Sequence, residues 1–115
     1  MVKDLVFHIV SRRKWRDWTA NGKYSPEILS EVGFITCAKG DSVGKIADRK
    51  YQGRKNLYLL VIDPVRIESK VTVDKDPNSD NEIIAIHGPI NLDAIIDKIL
   101  LQPDEDGFFN IRISG

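Results

Sequence analysis

A single α+β domain is what this sequence predicts, and three observations carry the expectation. Short apolar runs rich in β-branched residues, at 5–10 and 57–62 above all, have the length of strands rather than helices. Helix-start chemistry recurs in the first half, at Ser11, at Ser25-Pro26-Glu27 and at Asp41. The second half alternates short apolar stretches with turn-formers and so reads as strand-rich. A chain of 115 residues can bury a core of its own, and no linker, repeat or low-complexity segment divides it.

In the first strand, side-chain alternation puts Leu5, Phe7 and Ile9 on one face and Val6, His8 and Val10 on the other. Ser11 then caps a helix over 12–20, with Trp15, Trp18 and Thr19 inward and Asn21-Gly22 as its stop. Ser25-Pro26-Glu27 opens a short second helix, anchored by Ile28 and Leu29 and ended by Gly33. Residues 33–38 form a strand on which Cys37 shares a face with Ile35, opposite Phe34, Thr36 and Ala38. Asp41 caps a helix over 42–52 that turns Val43, Ile46, Ala47 and Tyr51 inward and stops at Gly53.

Residues 56–63 are the clearest central strand, apolar enough to need cover on both faces, and Asp63-Pro64 breaks them. Strands follow at 70–74 and 82–87, separated by a loop of turn-formers at 75–81 that is expected to be mobile. Gly88-Pro89 cuts the second of these. A helical turn at 91–96, a strand at 97–102, a turn at Asp104-Glu105-Asp106-Gly107 and a final strand at 108–113 complete the chain.

Composition excludes several classes. Apolar residues make up 42% and charged residues 30%, as in an ordinary globular protein. Seventeen basic side chains balance seventeen acidic ones, so bulk electrostatic binding to nucleic acid is not expected. Arg12-Arg13-Lys14 is the only basic cluster; it reads first as a solvated helix face and second as help in binding a small phosphorylated ligand. No run approaches the roughly 18 apolar residues of a membrane span, and the N-terminus lacks signal-peptide features. One cysteine fits a reducing compartment, so a cytoplasmic protein without membrane contact is expected. His8, Cys37 and His87 lack metal-ligand spacing, and no phosphate-binding loop, dinucleotide fingerprint or nucleophile elbow is present. Cys37 reads as a buried, inert thiol.

The candidates for chemistry are then few. His8 is a mid-strand imidazole among apolar neighbours, either tied down structurally or pointing into a pocket. His87 ends an apolar strand beside Gly88-Pro89, where sites are often built. Tyr24 is a packing lid or a ring for stacking a planar ligand.

Together, His8, Trp15, Gly22-x-Tyr24, Gly33-Phe34-Ile35, Asp63-Pro64, Gly88-Pro89 and Asp106-Gly107 resemble a small bacterial domain family of unknown function. That family has an ADP-ribosyltransferase-like fold, similar to that of RNA 2′-phosphotransferases. The resemblance implies a split, curved, mostly antiparallel sheet with two or three helices, around a cleft in which relatives bind nicotinamide adenine dinucleotide (NAD). It makes this chain a divergent member. Where the family has His, a small residue and Ser after Gly-Phe-Ile, this chain has Thr36, Cys37 and Ala38. Ser42-Val43 replaces a Gln-Val pair, and in the last motif Ala85 stands for histidine and His87 for tyrosine. His87 shares a strand face with position 85 and can reach toward the same cleft. Asp74 and Glu82 are the candidates for the acid that ribosyl transfer requires.

The resemblance thus implies a cleft lined by His8, Tyr24, Thr36, Ser42 and His87 that takes NAD or a related nucleotide-like metabolite, without assured catalysis. The alternative is a non-enzymatic protein-interaction domain that has kept the fold and lost the nucleotide site.

Overall fold

The computed structural model describes residues 4–75, 77 and 82–111. In chain order its elements are β1 (Val6–Ser11), α1 (Arg12–Trp18), β2 (Thr19–Ala20), β3 (Lys23–Tyr24), α2 (Ile28–Val32), β4 (Ile35–Lys39) and α3 (Gly40–Lys50). They continue with β5 (Leu57–Ile62), β6 (Val71–Lys75), β7 (Glu82–Ile86), β8 (Ile90–Asn91) and β9 (Ile95–Leu101). Single 3-10 turns, Pro64–Arg66 and Leu92–Ala94, precede β6 and β9.

The α+β expectation holds, with three helices and antiparallel strand pairs throughout. Six strands form one sheet in the order β6-β7-β4-β1-β5-β9, and β2-β3-β8 form a small second sheet. The alternation read from β1 divides the core as anticipated. Phe7 and Ile9 join Val43, Ala47, Leu57, Leu59 and Phe109 on the α3 side. Val6 and Val10 join Tyr24, Ile35, Cys37, Leu60, Ile84 and Ile90 on the other, where Trp15, Trp18 and Leu29 pack over them. Each such fully buried aliphatic contributes about 1.5–3 kcal/mol relative to exposure.

Four local expectations are corrected. The helix expected over 12–20 ends at Trp18, because Asn21-Gly22 is a hairpin turn rather than a helix stop. Asn21 and Gly22 both have positive φ, 54° and 76°, the geometry of the two-residue turn that Asn-Gly favours between strands. Ser25 does not cap α2: its amide bonds Trp18 O, while Pro26 O and Glu27 O accept from Leu29 and Ser30 in the turn that leads into the helix at Ile28. Asp41 stands in the first turn of α3, whose cap position is Lys39.

The final strand is absent over Phe108–Ile111, since side chains take its backbone groups. Asp104 accepts from the amides of Asp106 and Phe108, and Asp48 accepts from that of Phe109. Residues 112 and 113 of that expected strand, and most of the loop expected to be mobile at 75–81, lie outside the described residues.

Candidate functional site

The site begins with a gap in the sheet. β1 pairs with β5 at six positions, Val6 through Ser11, but with β4 at only two, Val6–Lys39 and Phe7–Ala38. Beyond Phe7 the two strands part, and β4 is carried along by its pairing with β7 at Ile35, Thr36 and Cys37. The side chain of His8 fills the opening. Its Nδ1 lies 3.0 Å from the carbonyl oxygen of Thr36 and its Nε2 3.0 Å from the hydroxyl of Tyr24. A carbonyl only accepts, so the arrangement assigns the Nδ1–H tautomer, with Nε2 accepting from Tyr24 Oη–H. Burial outweighs the Thr36 bond and lowers the His8 pKa below its ordinary 6.5, so the ring is neutral at pH 7. The residue is half-buried, and both ring nitrogens are hydrogen-bonded.

Tyr24 holds that geometry. Its side chain is 0% exposed, with ring centroids 5.7 Å from His8 and 5.4 Å from Trp15. Burial also raises its phenol pKa well above the ordinary value of 10.0. Its ring has a packed core position, the lid of the two roles read from the sequence, rather than an open platform for stacking.

A cavity of about 450 Å³ opens at this seam, and His8, Tyr24, Thr36 and Ser42 all line it. Thr36 is exposed in its wall, whereas Ser42, near the start of α3, is buried and donates from Oγ to Asp41 at 3.2 Å. The cavity follows α3 from Ser42 to Lys50, about 12 Å at 1.5 Å per residue. Four cations line it as well: Lys14 from α1, Arg49 and Lys50 from the last turn of α3, and Arg54 just beyond. Arg54 is held over the Tyr51 ring at 5.3 Å and Lys14 over Trp18 at 5.3 Å.

Sequence reasoning passed over Arg49, Lys50 and Arg54. Basic residues at a helix C-terminus are ordinary dipole partners, and only the position of α3 beside the gap gives them a common target. Glu82 is the one carboxylate among the lining residues, and it is bonded to Lys39 Nζ at 3.0 Å. Asp74 is exposed on β6 and does not line the cavity. Cys37 lines it from a buried position, its thiol pushed up to about 12 by desolvation, which leaves it protonated.

His87 is not brought to this cavity. It lies exposed past the end of β7, with Nε2 2.8 Å from Thr72 Oγ1 and its ring 5.8 Å from that of Phe34. The shared face with position 85 does not carry it across, because Ala85 is buried opposite Thr36 while His87 has passed the last β4–β7 pair.

Among the described residues no group of acidic, histidine and cysteine side chains is arranged to hold a metal ion. Likewise, no helix there is long and apolar enough to cross a membrane.

The fold is similar to that of protein CC0527 from Caulobacter crescentus. Its X-ray structure superimposes with a TM-score of 0.80 at 21% identity, covering 90% of this chain and 91% of that one. The solution NMR structure of the same protein gives 0.76 at 20% identity, covering 92% and 91%. At that identity the likeness establishes fold alone. No curated protein gives a significant match. A family model does match, over residues 9–98, which begin just past His8 and take in Tyr24, Thr36 and Ser42, and the chain therefore belongs to the family described as "Protein of unknown function (DUF952)".

Proposed function

We propose that the cavity at the β1–β4 seam binds an anionic, nucleotide-like metabolite, and that the domain holds this ligand without transforming it. The observation that carries the reading is the gathering of Lys14, Arg49, Lys50 and Arg54 around one cavity, in a chain of zero net charge. Guanidinium groups match phosphate oxygens in pairs, and about 450 Å³ falls within the range of small-molecule sites. An ADP-ribosyltransferase-like assignment of the fold, and NAD or ADP-ribose as ligand, are the specific form of this proposal. Both come from the sequence resemblance, and a sheet that parts at one seam is compatible with them. His8, Tyr24, Thr36 and Ser42 belong to the proposed site by position. Thr36 offers an accessible hydroxyl to the ligand, and Tyr24 acts through His8. His87 enters this reading only if ligand extends past the β4–β7 edge.

Three features favour binding over turnover. Ribosyl transfer passes through a cationic sugar that needs a carboxylate beside it, and Glu82 already faces the Lys39 ammonium. His8 has both nitrogens engaged and is neutral, so it is no general acid as placed. Cys37 is a protonated thiol and no nucleophile.

The test is an amide NMR titration of the labelled protein with NAD and with ADP-ribose. Saturable shifts at His8, Thr36, Ser42 and Arg54 are expected. They should be lost in the Arg49→Glu/Arg54→Glu double variant, with no product formed on long incubation. Absence of shifts at millimolar ligand would overturn the reading and leave the domain as a protein-interaction module that has lost the nucleotide site.

A further inference from the structure

A second cationic region lies outside this cavity, where α1 meets the start of β5. Arg12, Arg13, Trp15 and Arg16 line an open groove of about 500 Å³ together with Asn56 and Tyr58. Lys98 of β9 joins them, with its ammonium 4.6 Å from the centre of the Tyr58 ring and 5.1 Å from that of Trp15. Arg12 sits over Tyr58 as well, at 5.9 Å. The rings thus hold two of the cations in place before any partner arrives.

Among the described residues Arg12, Arg13 and Lys98 form no ion pair. Arg16 meets only Asp17, at 3.5 Å, with both side chains largely exposed, a contact worth little. Four cations with so little compensation repel one another. An anionic partner would relieve that.

The neighbouring strand narrows the chemistry. β9 is the end strand of the sheet, and Leu100, 42% exposed, stands directly opposite Tyr58. Lys98, opposite Leu60, lies on the same face as Leu100, two residues away. A cation beside an exposed leucine therefore borders the arginines. Cations already cover the ring faces that nucleic-acid bases would need for stacking, and phosphate chains have no use for the flanking leucine.

We propose that this surface docks an acidic segment of a partner protein that also carries apolar side chains. Carboxylates of the segment would meet Arg12, Arg13, Arg16 and Lys98, while its apolar residues cover Leu100. Asp97 Oδ1 accepts from the amide of Lys98 at 2.8 Å, which takes up one backbone donor of this strand. The proposed contact uses side chains.

A fluorescein-labelled peptide of mixed Glu and Leu serves as the probe, with a Lys/Leu peptide and single-stranded polyuridylate as comparisons. Fluorescence anisotropy should show saturable binding of the Glu/Leu peptide alone, weakening as salt rises. Amide shifts should map to Arg12, Arg13, Tyr58 and Lys98. Arg12→Glu/Arg16→Glu, at exposed positions that leave the fold intact, should weaken binding about tenfold or more, and Leu100→Ser should weaken it at unchanged salt dependence. Failure of the Glu/Leu peptide to bind, equal binding of the Lys/Leu peptide, or tighter binding of polyuridylate would each overturn the proposal. NAD titrations report on the other cavity, so the two readings stand or fall separately.

Discussion

The two flanks of β1 behave in opposite ways. Toward β5 the strand is zipped along all six of its residues, and the side chains across from it, Leu57, Leu59 and Leu60 among them, are buried. Toward β4 it is paired at two residues, after which a polar side chain stands in for the missing ladder. One strand of nearly uniform apolar sequence therefore supplies both a structural seam and the wall of a cavity. The difference teaches that a site can be made by leaving backbone pairing out, provided the exposed polar groups are satisfied some other way. Here a single imidazole satisfies the Thr36 carbonyl on one side and the Tyr24 hydroxyl on the other.

The comparison predicts an order of effects. Leu60 faces His8 across the zipped flank and is 0% exposed, so Leu60→Ala should cost about 2–5 kcal/mol in urea denaturation. His8→Ala acts on the open flank. It strands a buried phenol and a backbone carbonyl, and should cost less, about 1–3 kcal/mol. A larger loss from His8 than from Leu60 would reverse the assignment of the two flanks and make the imidazole the main fastening of the sheet.

The smallest effect concerns pH. The folded pKa of His8 lies below 6.5, so the unfolded chain takes up this proton more readily than the folded one. The stability contributed by neutral His8 is complete above pH 6.5 and is lost as pH falls from there toward the lowered folded value. Unfolding free energies measured between about pH 5 and 7 should fall more steeply for the native chain than for His8→Gln. Parallel slopes would show that the ring titrates as if it were in water.

Much of this was legible in the residues. The alternation of β1 gave the correct face for His8, and the apolar run of β5 gave its place inside the sheet, because both depend on local side-chain periodicity. Four of five site candidates line one cavity for the same reason, once the strands carrying them are adjacent. What stayed hidden depends on how distant segments meet. Asn21-Gly22 suits a helix end and a hairpin alike, and only the arrival of β8 beside β3 makes a sheet there. Arg49 and Arg54 look like helix-end charges until the β1–β4 gap opens beside them. His87 has a strand end much like those that build sites, yet the last β4–β7 pair falls one residue short of it. The Asp104 turn withdraws the backbone of 108–111 from pairing, which alternation alone does not reveal.

In mechanical terms, the short β1–β4 contact makes the six-stranded sheet two panels, β6-β7-β4 and β1-β5-β9, joined along a narrow hinge. A load across the second panel is shared by six residue pairs at β1–β5, while a load across the hinge falls on two pairs and one imidazole. Within the six-stranded sheet, the line with the fewest backbone pairs among the described residues therefore runs through the cavity. Whatever fills that cavity acts as a splint.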